Sequence, residues 1–514
     1  MSHAVGQRTN ARRRNPQVGA ALFVAVMSVV LVGAVSPAVV LAQDAVSDLD
    51  AALALQDTLA TAIERAEKSV VAIARVRRDA EPPRARFEDG RFIPPDEESD
   101  PLSPDFIPND FAAGVVVDRG GLILTNYHVL GEIDKNDYYV WVAGKPYEAR
   151  ASVEAADPWT DMAVLRIEAD DLEPITLGDS SSLKKGHIVI TLGNPYGIAR
   201  DGRVSAGWGI VSNLARKAPP LPSNDRLSSG KETLHHYGTL IQTDAKLNLG
   251  TSGGALVNLK GEMVGLTTSL AALSGYERSA GFAIPVDDTF RRTLEQLKKG
   301  RLVEVGFLGV APQHLAAQDR RDGQTGARVS QVVPGTPAAR AGIRPGDVIT
   351  QVNRSAIDDA NALLREVSSM PAGSRAVLNV TRGRTGDLVG STREVTVTLG
   401  KKYVSETRPA FARNAPQPWR GMSVDYATAL PMSQLHERAW DIDPAGCIAV
   451  IDVVPDSPAW KAGMRPWTFV SHVGSSRVET PQEFYAAVAT ANGGVRLRIA
   501  AGRGGEPRTV SVAP

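Results

Sequence analysis

The 514-residue chain has a single cysteine, Cys447, so no intramolecular disulfide can brace it. That lone thiol is expected as a small buried hydrophobe rather than a redox group. Charge of neither sign is in excess, since 57 Lys and Arg face 57 Asp and Glu. Such a balance argues neither for nucleic acid nor for a membrane-coating surface, and no nucleic-acid partner is expected. A P-loop, a dinucleotide fingerprint and Cys/His zinc spacing are all missing, so neither cofactor nor metal is expected. One long uncharged run stands out, Val18 to Ala42, after a basic start with Arg8, Arg12, Arg13 and Arg14. Residues 1–42 read as an export signal, with Pro37 breaking the helix and small residues at the Val40-Leu41-Ala42 end for cleavage. The run could also span about 30 Å of hydrocarbon, so an uncleaved membrane anchor is the alternative.

What is present points to three or four domains, with 43% apolar residues to fill ordinary cores. The most informative stretch is Asn248-Leu-Gly-Thr-Ser-Gly-Gly-Ala-Leu256. Ser252 is flanked by Gly250, Gly253 and Gly254, where the backbone turns tightly without a Cβ clash. Such a turn presents a hydroxyl and aims backbone N–H groups at one point, as a nucleophile with its oxyanion hole requires. Gly/Ser turns are common, and many are only turns.

Partners upstream change the weighting. Leu122-Ile-Leu-Thr-Asn-Tyr-His128 is an apolar strand delivering a histidine to a loop. Asp157-Pro-Trp-Thr-Asp161 opens an alternating run, which puts Asp161 at a strand end. A serine hydroxyl needs an imidazole to take its proton, and the imidazole needs an acid to hold its tautomer. The chain order His128, Asp161, Ser252 is that of the chymotrypsin arrangement.

These stretches, with Gly193-Asn-Pro-Tyr-Gly197, Ile241-Gln-Thr-Asp-Ala245 and Gly281-Phe-Ala-Ile-Pro285, resemble the HtrA/Deg family of trypsin-like serine proteases with C-terminal PDZ domains. The likeness runs from about Lys68 to the end. It implies a mainly β fold, a chymotrypsin-like double β-barrel protease domain followed by two PDZ-like domains. It also implies a role in extracytoplasmic protein quality control, and homo-oligomers built on trimers. Three positions depart from the family pattern. Thr251 stands where Asn is frequent; Lys246, six residues before the serine, replaces a common Ala; and Ala112-Ala113-Gly114 replaces Gly-Ser-Gly. Lys246 is expected near the base of the primary specificity pocket, where it would disfavour cutting after Lys or Arg, or else in solvent.

The remaining chain divides accordingly. Residues 43–300 form the protease domain, opening with a helix over 46–68. A Pro-rich acidic loop over 79–110 is a regulatory loop by resemblance or a solvated insertion otherwise. His235-His236, beside a second long loop, is expected as a surface pair. A module is duplicated: Val332–Pro345 recurs as Val453–Pro466 with nine of fourteen residues the same. Each copy follows a Gly-apolar turn, Gly306-Phe307-Leu308-Gly309 in the first and Gly421-Met422 in the second. The copies resemble PDZ domains, in which such a turn holds a peptide's C-terminal carboxylate. The first module is expected over 301–402, a linker over 403–417 and a divergent second module over 418–514. In the second, Trp467-Thr468 stands where the first has Gly346-Asp347, so the first is expected to gather peptides. Trp467 is expected either on a packing surface or in its own module's core.

Together these residues predict an exported, periplasmic or membrane-anchored, ATP-independent serine endopeptidase acting on unfolded or damaged proteins. Ser252 is the expected nucleophile, His128 the general base and acid, and Asp161 the orienting carboxylate. Gly250, Thr251 and Ser252 are expected to form the oxyanion loop. A non-catalytic chaperone with a silent triad, and a protease cutting one signalling substrate, are the alternatives.

Overall fold

A computed structural model describes residues 48–78, 86–88, 91–93, 110–143, 148–194, 203–218, 233–268, 281–383, 390–404, 407–489, 493–500 and 506–514. The expected export signal, nearly all of the 79–110 loop, residues 195–197 and residues 219–231 lie outside these. The chain divides into two compact units, residues 1–52 and 53–514. Of the first, the described part is residues 48–52, at the start of α1 (Asp48–Ala66).

In the second unit the rest of α1 lays Leu59, Ile63 and the buried Ala62 and Ala66 against a core cluster shared by two barrels. The first barrel uses β1 (Val70–Arg77), β4 (Asp110–Val116), β5 (Leu122–Thr125), β6 (Asn136–Trp141), β7 (Glu148–Asp157) and β8 (Met162–Arg166); a hairpin of β2 (Arg86–Glu88) and β3 (Arg91–Ile93) stands apart. The order β7-β6-β1-β4-β5-β8 closes through β7–β8 pairing. Every residue of β5 is buried, as is β8 up to its final Arg166. These strands therefore read as continuous apolar runs rather than alternating ones. Strands β9 (Ile188–Gly193), β10 (Ser205–Arg216), β11 (Leu240–Thr243), β12 (Ala255–Val257), β13 (Met263–Thr268) and β14 (Gly281–Pro285) form the second closed barrel, in the order β10-β11-β14-β13-β12-β9. Helix α3 (Asp288–Lys298) follows, capped by Asp287, whose carboxylate accepts the Phe290 N–H at 2.8 Å. Its buried Phe290, Leu294 and Leu297 join the shared core.

Two modules of one topology come next. The first contains β15 (Gly306–Phe307), β16 (Val310–His314), α4 (Ala317–Arg321), β17 (Ala327–Val332), α5 (Pro337–Arg340), β18 (Val348–Val352), β19 (Ser355–Ala356), α6 (Ala360–Ser369), β20 (Arg375–Gly383), β21 (Gly390–Thr398) and β22 (Gly400–Lys401). Its sheet runs β16-β17-β18-β20-β21, with β19 on β18. After β23 (Phe411–Ala412), the second contains β24 (Met422–Tyr426), α7 (Met432–Arg438), β25 (Ile448–Val453), α8 (Pro458–Lys461), β26 (Phe469–Val473), β27 (Ser476–Arg477), α9 (Pro481–Ala489), β28 (Val495–Ile499) and β29 (Arg508–Val512). Its order, β24-β25-β26-β28-β29 with β27 on β26, repeats the first strand for strand. The duplicated sequence makes α5 and α8, each starting on a proline, where the missing N–H costs nothing.

The modules share a core. Phe307 and Val333 of the first pack with Leu430, Leu435, Ile442, Phe469 and Trp467 of the second. Cys447 is buried in that cluster, and burial pushes its thiol up to about 12. The segment expected as a linker is not loose: β23 pairs with β7 and adds a seventh strand to the first barrel's sheet.

Candidate active site

His128 sits on α2 (Tyr127–Leu130), a single turn at the end of β5. Asp161 holds that turn from both its main chain and its side chain. Its carbonyl accepts the Tyr127 N–H at 3.1 Å and the Asn126 Nδ2 at 3.2 Å. The carboxylate takes the His128 backbone N–H on Oδ1 at 3.1 Å, and His128 Nδ1 on Oδ2 at 2.9 Å. Because Nδ1 donates to a carboxylate, the neutral ring carries its lone pair on Nε2. Asp161 achieves this at φ +54°, a left-handed conformation costing about 1–2 kcal/mol for a residue with a Cβ.

Asp161 is fully buried. Burial pushes its pKa up, but the charge and hydrogen bond of His128, aided by the Arg408 guanidinium, hold it below the ordinary carboxylate value. The turn preceding it is braced on every side. Asp157 Oδ2 accepts the Thr160 N–H at 2.9 Å and the Thr160 hydroxyl at 2.5 Å. Leu234 N donates to Trp159 O at 2.8 Å, and His235 Nε2 donates to Thr160 O at 2.9 Å.

His235 and His236 thus overturn the expected surface pair, for both are only 2% exposed. A carbonyl partner forces His235 to donate from Nε2, and Nδ1 then accepts the Thr239 hydroxyl at 2.7 Å. Burial lowers its pKa, so the ring stays neutral and supports the Asp161 turn without adding charge. The one sequence signal for this is Thr233-x-x-His236, which forms a capping box around a short helical turn.

Ser252 is only 5% exposed, on the loop between β11 and β12. Its carbonyl accepts the Ala113 N–H at 2.8 Å, tying the serine loop of the second barrel to β4 of the first. At Gly253, φ +81°, a Cβ would collide with Ala113 O and the Thr125 hydroxyl; at Gly250, φ +92°, it would strike Asn194 O and the Phe111 ring. Only glycine lets the two barrels close here. Thr251 shuts the turn, donating from its N–H (3.1 Å) and its hydroxyl (2.7 Å) to Asn248 O. Its N–H is therefore committed inside the loop. Among the described residues His128 Nε2 is buried without a hydrogen-bond partner, so the hydrogen bonds join His128 to Asp161 but not to Ser252. Lys246 is exposed.

In the first module Leu308 is buried, and its carbonyl accepts the Ala338 N–H at 2.9 Å. Gly309, at φ +90°, accepts the Val333 N–H at 3.0 Å, and a Cβ there would overlap Thr336. Gly306 and Phe307 pair with Lys401 and Gly400.

Comparison with known proteins decides the family. Residues 112–266 match the model of a trypsin-like peptidase domain, and residues 306–399 that of a PDZ domain. The chain is 33% identical over 403 residues to a probable periplasmic serine endoprotease DegP-like of Hahella chejuensis, covering 77% of this chain and 78% of that one. It belongs to the DegP-like serine endoproteases. The DegP-like protein of Chlamydia trachomatis is 31% identical over 386 residues, 74% of this chain and 70% of its own. Among solved structures, the HtrA-type protease AlgW with decapeptide shares 27% identity at a TM-score of 0.48, across 67% of this chain and 98% of that one. A DegP-like chain is a serine protease that hydrolyses peptide bonds, and protein or peptide substrates follow.

Proposed function

We propose that Ser252 is the nucleophile, His128 the general base and then acid, and Asp161 the carboxylate that orients and stabilises the imidazolium. The observation that carries this reading is the buried Asp161–His128 pair at 2.9 Å, which leaves the Nε2 lone pair to receive a proton. Catalytic hydrogen bonds are often long before substrate arrives, so the Ser252–His128 contact closes in the substrate complex. With the Thr251 N–H spent on Asn248, the N–H groups of Gly250 and Ser252 on either side receive the oxyanion. Residues 43–300 act as the protease domain, 301–402 as the peptide-gathering module and 418–514 as its partner module.

We infer further that the protein is exported to the periplasm by residues 1–42 and degrades unfolded or damaged chains there. The first module captures substrate C-termini on the Gly306–Gly309 turn, beside the edge strand β16, where a peptide can add as a strand. A trimer-based homo-oligomer is the expected assembly. Replacement S252A tests the core of this reading. Hydrolysis of unfolded casein should fall by about 10⁴ to 10⁶-fold while binding of unfolded chains persists. Undiminished hydrolysis would leave a different nucleophile.

A further inference from the structure

Strand β7 is paired unevenly. Its first part, Glu148 to Ala151, lies against β6, while Ser152 to Asp157 lie against β8. The side of the second part that β6 leaves open runs straight into the Asp157–Asp161 turn, and its backbone groups need partners. The segment between the two modules supplies them. Phe411 and Ala412 pair with Ala156 and Ala155, and Phe411 packs on the first barrel's core. Arg413 N donates to Glu154 O at 2.9 Å, and its guanidinium reaches the Ser152 hydroxyl and the Glu154 carboxylate. Asn414 fixes the downstream end, binding Gly300 O through its N–H and Lys299 O through Nδ2, both at 2.8 Å.

The upstream end reaches the other catalytic turn. Tyr127 opens α2 and is bound at both ends: its N–H donates to Asp161 O at 3.1 Å, and its hydroxyl donates to Pro409 O at 3.0 Å. The residue is only 7% exposed, and the Arg408 guanidinium lies 5.1 Å from its ring centroid. The charge of Arg408 also favours the ionised forms of Asp157 and Asp161, against the burial that disfavours them. His128 follows Tyr127 directly, so displacing Tyr127 displaces the imidazole. One stretch, residues 408–414, thus touches both the turn that carries His128 and the strand that delivers Asp161.

We propose that residues 408–414 form a positioning strap for the His128–Asp161 pair, with Tyr127 and Phe411 as the positioning residues that transmit its hold. They act through His128 and Asp161 rather than on the substrate, keeping the imidazole where the Ser252 proton can reach it. This rests on the catalytic reading of those three residues. Misplacing a catalytic group by about 1 Å costs on the order of 10²-fold in rate, so a loosened strap shows in turnover rather than in substrate binding.

The test uses the full chain and a fluorogenic peptide copied from a casein site that the wild type cuts. Y127F keeps the ring and removes only the hydroxyl on Pro409. Its kcat should fall about 3- to 5-fold at constant KM, the worth of one neutral hydrogen bond made in the transition state. F411A frees the strap at a point away from the imidazole and should lower kcat about 10-fold, again at constant KM. The double variant should be no slower than F411A, because a freed strap takes Pro409 away from the hydroxyl in any case. If the segment only adds stability, both single variants will melt earlier while kcat per fluorophosphonate-labelled site stays at the wild-type value, and that overturns the proposal. A double variant slowed by the product of the two single effects overturns it as well. Hydrolysis of the peptide by S252A would instead remove the catalytic reading beneath it, which keeps the two failures distinct.

Discussion

In the first module the segment Arg344 to Asp347 turns through Gly346 at φ +93°; in the second, Arg465 to Thr468 makes the corresponding turn through Trp467 at φ +65°. The hydrogen bonds are the same. Gly346 N donates to Val329 O at 2.8 Å, and Trp467 N to Val450 O at 2.7 Å. What differs is the support. Asp347, buried, accepts the Arg344 N–H at 2.9 Å and a two-pronged Arg382 guanidinium at 2.7 Å. Thr468 has no charge to do this. Instead Trp467 packs into the cluster that holds Phe307 and Val333 of the first module. One module closes its turn by its own polar network, the other by leaning on its neighbour.

The Gly-apolar turns diverge in the same sense. Gly421 O accepts the Val454 N–H at 2.8 Å, just as Gly309 O accepts that of Val333. In the second module, however, Met422 N donates to Trp419 O at 2.9 Å, so one N–H of the would-be carboxylate turn is already spent. Arg420 stands where the first module has Leu308, and its guanidinium ties Val512 O and Gly493 O. The duplicated fold is retained while one backbone N–H of that turn is bonded within the module. This supports the first module as the peptide-gathering one.

The contrast can be broken at its strongest point first. D347A should destabilise the first module by about 2 kcal/mol, since the Arg344 N–H loses its charged acceptor and the partly exposed Arg382 its partner. Hydrogen exchange of the β18 amides reads this locally; unchanged protection would mean the network does not hold the turn. Next, W467G transplants the first module's residue into the second. Relief of positive-φ strain returns about 1 kcal/mol, but loss of aromatic burial costs more, for a net loss of about 1–2 kcal/mol. That loss should spread to exchange around Phe307, and an effect confined to the second module would show that the modules stand independently.

The smallest effect concerns Lys402, at the end of the first module, whose ammonium lies 4.3 Å from the Trp159 ring centroid. Burial lowers its pKa from 10.5 to about 8. Below about 8 both folded and unfolded chains hold the proton, and the folded state bears the cost of a buried charge. Between about 8 and 10.5 only the unfolded chain holds it, so stability rises with pH across that window. K402M should therefore stabilise the protein by about 1 kcal/mol at about pH 7, an advantage that fades as pH rises from about 8 to 10.5. A uniform loss of stability at all pH values would instead mean that the cation–π contact outweighs the cost of burying the charge.

How far the sequence speaks depends on whether its signals are local. The strand-borne His128, the strand-end Asp161 and the Gly-flanked Ser252 can be read because each motif also dictates its own backbone. The duplication is equally legible, since α5 and α8 start on proline at matching places. The burial of His235 is not, because it comes from Thr160, seventy-five positions away in sequence. β23 is hidden because two residues between prolines carry no strand pattern of their own, and only β7 supplies the partner. Trp467 is compatible with two settings from sequence alone, and its cluster contains residues of both modules.

The central claim is that Ser252 is the nucleophile activated by the Asp161-held imidazole. Labelling the full-length protein with a fluorophosphonate in the presence of unfolded substrate, followed by peptide mapping of the adduct, tests it most directly. The adduct should fall on Ser252 alone and be lost in H128A. An adduct on another serine, or undiminished labelling of H128A, would contradict the account.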